Sequence, residues 1–514
     1  MNTKMFDAIV IGGGPAGSTA ATLIAMDGHK VLLLERERFP RYHVGESLLP
    51  STVHFITDLL GCREEVLNAN FMRKEGGIYR WGKNTEPWFF QFNEKYHKAN
   101  YAFQVERSKF DHILLENAKR KGVDVREEHT VAGALFEDGR VIGVRFQDAA
   151  GQEQEAHAEY VLDASGQAGL LANRIGKREY DEYFKHIAVY AYFEGGKRFP
   201  EPERRGAVLS AAFKNGWIWY IPINDKLTSV GAVVHRDQSP TIQALGAEEA
   251  LNGYIQDCPF VAEFLGSAQR VTNGQYGEVR VIKDYSYRNK QFWAPGCALI
   301  GDSACFVDPI LASGVHLATY GGLQAARAVN TRLHGKSGIS EKTAFNEFEQ
   351  RYRREFVLFY RFLAGFYEMH HDEDSYFWQA HKILEENSVL TSSKARDSFI
   401  QLAAGLASSG EPLFQSDTAF VDSLRKAVEV TEHRIVDARG NGLSEEQQRT
   451  VDENRHQLYR EQNELWEYSS VKAGNLNPDE AVRRVSPIFE GGLIPSADGL
   501  RWQVPQAELV AEAA

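Results

Sequence analysis

"FDAIVIGGGPAG", Phe6 to Gly17, leads into a short helical run and then "KVLLLE", Lys30 to Glu35. The unbroken apolar run Phe6 to Ile11 reads as a strand buried on both faces, as in a parallel sheet. A glycine turn follows, then a helix over about Ser18 to Met26, with Gly28 as its stop and a second strand ending at Glu35. This is a βαβ unit. Gly12, Gly14 and Gly17 give GxGxxG in the strand-to-helix turn, where missing side chains let the backbone approach a pyrophosphate and the helix N-terminus supplies N–H groups. Glu35 lies about twenty residues on, placed to accept from a ribose 2′-hydroxyl. Pro15 and Ala16 in the turn and Arg36 after the second strand join these as dinucleotide-binding residues.

The chain has 514 residues, too many for one ordinary core, so two or three packed units are expected. A formal charge of -12 with no basic stripe argues against nucleic acid as a partner. The four cysteines, Cys62, Cys258, Cys297 and Cys305, form no CxxC pair, which points to reduced thiols and to no metal site. "MNTKMFDAIVIGGG" runs straight into a strand, and no apolar run approaches spanning length. A cytoplasmic protein without membrane segments is the expectation.

The expected fold is α/β (α+β overall): a Rossmann-like domain, discontinuous over 1–75, 104–185 and 270–340, with a mostly antiparallel β-sheet unit inserted at 76–103 and 186–269. A helical C-terminal region over 341–514 follows, opened by "FNEFEQRYRREFVLFYRFLAGFYEM" with apolar residues at three and four spacings. "LSEEQQRTVDENRHQLYREQNELWEYSS", Leu443 to Ser470, reads as a solvated helix or partner surface.

FAD is favoured over a nicotinamide cofactor by "ALIGDSACFVDPILASG", where Asp302 ends an apolar strand, and by "LDASG", Leu162 to Gly166, a short strand and turn that would pass the glycine loop. Together they resemble the flavin hydroxylase type of flavoprotein, with Arg107 and Pro309 added to the cofactor-binding set. Hydroxylases and halogenases share that framework. "GWIWYIP" separates them, because Trp217, Trp219, Ile221 and Pro222 fit WxWxIP, the signature of flavin-dependent halogenases. Phe306, Pro309, Ser313 and Gly314 match the family's second pattern, and Lys74 in "FMRKEGG" matches its lysine. With "RYHVGESLLP" and the segment Glu347 to Leu363, the chain resembles the branch that acts on tyrosyl or other phenolic rings tethered to carrier proteins.

That resemblance implies a chemistry. Reduced flavin and oxygen give a flavin hydroperoxide, which halide, chloride or bromide, attacks to make hypohalous acid. Ser313 and Gly314 would offer N–H donors to the halide. Lys74 would hydrogen-bond the hypohalous acid or carry it as a chloramine, with Glu46 polarising the lysine or accepting the ring proton; Glu46 has an equal claim to a structural role. In a strand Trp217, Trp219 and Ile221 share one face. The resemblance makes that face a wall between flavin and substrate, and core packing would place it the same way. Tyr352 and Phe359 share a helix face and are expected to line the substrate or hypohalous-acid route. No second GxGxxG is present, so a separate flavin reductase is an expected partner, beside the carrier protein. An aromatic hydroxylase or other flavin oxidoreductase on the same fold is the alternative, and a flavin-binding protein without turnover a third reading.

Overall fold

The first strand, Met5–Ile11, pairs in parallel on both edges: Ile9 faces Leu32 on one side and Val161 on the other. That double burial is why its residues are apolar without alternation. The computed structural model describes residues 5–81, 87–94, 99–181, 183–283, 285–335, 337–368, 399–406, 487–489 and 491–505. The sheet around this strand runs Trp293–Ala294, Cys297–Leu299, Glu153–Asp163, Met5–Ile11, Val31–Leu34, Asp124–Arg126, with an antiparallel pair, Thr130–Glu137 and Arg140–Gln147, hanging from the start of Glu153–Asp163. The first helix spans Pro15–Met26, three residues earlier than expected, because Pro15 suits a first helical position that has no intrahelical donor to lose. It packs against the long helix Gly314–Leu333, which in turn packs against Glu341–Glu368.

The second sheet is ordered Gln269–Arg270, His186–Glu194, Leu227–His235, Gly216–Pro222, Val208–Phe213, Gly76–Arg80, Trp88–Gln91. It is antiparallel except where Val208–Phe213 runs parallel to Gly76–Arg80. Alternation divides its two faces. Ile218 and Tyr220 pack with Leu251, Tyr254 and Ile255 from the helix Ala247–Gln256 on the outer face, whereas Trp217, Trp219 and Ile221 join the main core with Tyr190 and Val233. Arg280–Lys283, inside the span expected for the Rossmann-like unit, pairs instead with His186–Glu194, and three short helices cover the segment 239–265.

Helix Glu341–Glu368 follows the long helix Gly314–Leu333 in the chain. The tail adds a small hairpin, Ile494–Pro495 with Trp502–Gln503, that sequence patterning did not announce. The charged segment Leu443 to Ser470 lies outside the described residues.

Candidate active site

The three glycines of the turn do different jobs. Gly12 sits at φ +101°, and a Cβ there would lie 2.5 Å from the Ala164 carbonyl oxygen. A Cβ on Gly17 would lie 2.0 Å from the Gly12 carbonyl oxygen, so this glycine closes the helix onto the turn. Gly14 faces open space, with only the Arg41 guanidinium within 4 Å of a would-be Cβ, at 3.6 Å. Beside it begins a cleft lined by Gly12, Gly14, Pro15, Ala16, Glu35, Arg36, Arg41, Glu46, Ser47, Arg107, Asp302 and Pro309, which ends at Trp217, Trp219 and Ile221. Glu35 accepts from the N–H of Gly13 at 2.6 Å and of Glu37 at 2.8 Å, which fixes its carboxylate at the end of the second strand.

Arg107 reaches this cleft from the helix Arg107–Arg120. Its guanidinium forks onto Asp111 at 2.8 and 2.9 Å and donates to the carbonyl oxygens of Val44 and Gly45 at 2.6 and 3.2 Å. It thereby braces the segment that presents Glu46. Arg41 shares Asp111 at 3.0 Å and puts a second cation beside the glycine turn. Sequence reading gave Arg41 no role; its signal was a basic side chain in "RYHVGESLLP". Burial pushes the Asp302 carboxyl up to about 6, against the Arg107 and Arg178 charges.

These features fit FAD. An open helix N-terminus flanked by Arg41 would hold the pyrophosphate, Glu35 a ribose, and Asp302 the ribityl end. Bound there, reduced flavin would supply the chemistry that activates dioxygen; the chain supplies its place and its walls.

At the far end the loop Phe306 to Gly314 carries a tight turn, Pro309–Leu311, and then Ala312 at φ +57° and ψ 31°. A non-glycine residue in the left-handed region stores strain, and here it aims the chain into the N-terminus of helix Gly314–Leu333. Phe306, Pro309, Ala312 and Gly314 line the cleft, and Ser313 is buried behind them. The first N–H groups of that helix have no carbonyl one turn back.

Trp217, Trp219 and Ile221 line the cleft from the second sheet, the indole centroids 6.1 Å apart. Pro222 ends the strand outside the lining. Gly231 stands opposite Trp219, and a Cβ on it would lie 2.3 Å from the indole. The wall needs that glycine.

Lys74 is 2 % exposed and stands behind the cleft. Its ammonium donates to Ser47 Oγ at 2.9 Å and to the Leu48 carbonyl oxygen at 3.0 Å, 5.6 Å from the Phe92 ring centre. Burial alone lowers its pKa to about 7. Ser47 and Glu46 line the cleft, so one residue layer separates the amine from it. Glu46 turns away from Lys74. Its carboxylate accepts from the Tyr192 hydroxyl at 2.5 Å and from the Gly45 N–H at 3.1 Å, and burial raises its pKa. Tyr42 extends this bond to a second hydroxyl at 2.9 Å.

Tyr352 and Phe359 are not brought to the cleft. The Tyr352 ring occupies a notch at Gly321 and its hydroxyl donates to the Gly301 carbonyl oxygen at 3.3 Å, while Phe359 packs against His316. Helix Glu341–Glu368 turns that face onto its neighbour Gly314–Leu333. The four cysteines are free and buried, and burial pushes the Cys62, Cys297 and Cys305 thiols up to about 12.

A sequence profile of the tryptophan halogenase family matches residues 7–100 and 93–421. The chain belongs to this family. A tryptophan 2-halogenase of Chondromyces crocatus is 36 % identical over 409 residues, spanning 78 % of this chain and 76 % of that one. Among solved structures, the myxobacterial chondrochloren halogenase CndH, described as a variant of FAD-dependent halogenases, is 46 % identical and covers 97 % of this chain and 100 % of its own, with a TM-score of 0.72. The flavin-dependent brominase Bmp2 is 26 % identical at a TM-score of 0.68, covering 78 % and 94 %. The protein is therefore a flavin-dependent halogenase that uses reduced FAD and halide, on the mixed α/β fold expected, and such halogenases draw reduced flavin from a separate reductase. Among the described residues no helix is long and apolar enough to cross a membrane.

Proposed function

We propose that this halogenase chlorinates a phenolic ring, a tyrosyl unit presented on a carrier protein, in the cytoplasm. The carrying observation is the Lys74 amine, buried, brought to about 7, and bonded to the same segment, Glu46 to Leu48, that lines the flavin cleft. A donor that is also nucleophilic when neutral suits a group that receives hypohalous acid and orients it. Halide is held at the Ser313 and Gly314 N–H groups, and the tryptophan wall keeps the ring from the flavin. In the final exchange a ring carbon gains chlorine, the hypochlorous O–Cl bond breaks, and the ring proton leaves with the oxygen as water. Glu46, its pKa raised by burial and its carboxylate accepting from the Tyr192 hydroxyl, manages proton transfer beside that step.

The carrier reading rests on the resemblance of Lys74, the tryptophan strand and the segment Glu347 to Leu363. An acidic carrier surface would need a basic patch on this chain, and in the run Arg351 to Arg354 the Arg351 side chain is already buried against Glu347 and the Leu493 carbonyl oxygen. A second reading, free tryptophan, is favoured by the name of the Chondromyces crocatus relative.

Purified enzyme, a flavin reductase and chloride are incubated with free tyrosine, carrier-bound tyrosine and tryptophan, and products are read by mass spectrometry for the chlorine isotope pattern. Chlorination of carrier-bound tyrosine alone supports the proposal, and chlorination of tryptophan overturns it. Equal chloride and bromide then test the halide preference, and an oxygenated product at any halide level would revive the hydroxylase alternative.

A further inference from the structure

Asp308, fully buried between Phe306 and Pro309, gathers groups from three other elements. Its Oδ1 accepts from the Ile310 N–H at 3.1 Å and so shapes the turn Pro309–Leu311. Its Oδ2 meets the Tyr367 hydroxyl at 3.1 Å, from the end of helix Glu341–Glu368, and His186 Nδ1 at 3.1 Å, from the start of strand His186–Glu194. Tyr367 in turn lies 2.5 Å from Nε1 of Trp217, the first tryptophan of the wall.

The direction of this chain is fixed by chemistry. An indole nitrogen only donates, so the Tyr367 oxygen accepts from Trp217. The hydroxyl hydrogen is then free to point at the Asp308 carboxylate, which only accepts when ionised. His186 must carry its hydrogen on Nδ1 to complete the set.

We infer that Trp217, Tyr367, Asp308 and His186 form a positioning relay that builds the tryptophan wall and the halide loop as one unit. This rests on the assignment of the loop Phe306 to Gly314 as the halide site. Four residues separate Asp308 from Ser313, and the strained Ala312 is one of them. Such a backbone persists when surrounding bonds over-determine it, and the relay supplies them. None of the three partners of Trp217 need touch halide or substrate for this to act.

Tyr367→Phe removes one oxygen and keeps the ring that packs on Trp81, Phe184 and His186. In the FAD-loaded enzyme, KM for chloride is expected to rise about ten-fold with a smaller change in kcat, since a lost bond to a buried charge is worth at least that factor. Chloride titration of the bound flavin's absorbance should shift by the same factor, and backbone amides over residues 309–314 should exchange faster. Trp217→Phe should add little to the chloride shift once the Tyr367 hydroxyl is gone, because both act through one chain of bonds. If Tyr367→Phe does not fold, Trp217→Phe reads the same link from its other end. Unchanged chloride binding and unchanged exchange at 309–314, in an enzyme whose parent halogenates, overturns the relay. If the parent makes no halogenated product, the halide-site reading fails, and the exchange comparison still decides whether the relay holds the loop.

Discussion

A buried amine works against its own fold. Lys74 stands well below the ordinary 10.5 because burial disfavours its charged form. Between about 7 and 10.5 the unfolded chain therefore binds the proton and the folded chain does not, so stability rises with pH across that window and the penalty is fully present below it. Urea unfolding of wild type and Lys74→Met should show this slope in wild type and lose it in the variant. Turnover should follow the same group. Halogenation is expected to increase as pH rises through about 7, and Lys74→Ala should reduce it by a factor on the order of a hundred or more with flavin still bound; a hundred-fold loss accompanied by loss of flavin would assign Lys74 to cofactor binding instead. The sequence singled out Lys74 and Glu46, yet their relation was not legible. Glu46 was read as polarising the lysine, as accepting the ring proton or as structural, and the fold gives the lysine to Ser47 and Leu48 and the glutamate to Tyr192.

Elements were read more securely than contacts. The double-sided strand, the glycine turn and the tryptophan strand each follow a period or a steric rule that acts locally. Gly17 is held by such a rule, and Gly17→Ala, with a Cβ 2.0 Å from the Gly12 oxygen, should abolish FAD binding, read as loss of flavin absorbance from the purified protein. Gly231 is different, since only strand register puts it under Trp219. Gly231→Ala forces the indole towards the cleft or the strands apart. The expected cost is about 1–3 kcal/mol in urea unfolding, as for overpacking, together with weaker FAD binding. An unchanged midpoint would show that the wall yields freely. Helix Glu341–Glu368 marks the limit of patterning: its spacing put Tyr352 and Phe359 on one face, which packs on the neighbouring helix instead of lining the expected route, and nothing in that spacing separates Tyr352, packed on Gly321, from Tyr367, which reaches Asp308.

At the scale of the whole molecule, the hairpin Ile494–Pro495 with Trp502–Gln503 returns to the helix Gly314–Leu333. Trp502 is 2 % exposed, with the Arg327 and Arg351 guanidinium groups 5.1 and 4.7 Å from its ring. The backbone N–H of Trp502 donates to Thr331 Oγ1 at 2.8 Å, Arg327 donates to the Gly499 carbonyl oxygen at 2.7 Å, and Arg351 donates to that of Leu493 at 2.8 Å. Arg327 and Thr331 belong to Gly314–Leu333, Arg351 to Glu341–Glu368; the tail straps the two together. These contacts join residues some 150 apart in sequence, which is why no local pattern announced them. Trp502→Ala removes the ring from between two buried cations, so the loss combines a cavity with desolvated charge left facing it. A destabilisation of about 3–5 kcal/mol is expected, measured by urea unfolding. Because the strap contacts Arg327 and Thr331, toward the C-terminal end of helix Gly314–Leu333, whereas Gly314, Val315 and Ala318 at its start line the cleft, the folded fraction should retain FAD and its chloride KM. A variant as stable as wild type would show that the helix pair is held by its own packing, with the tail merely resting on it.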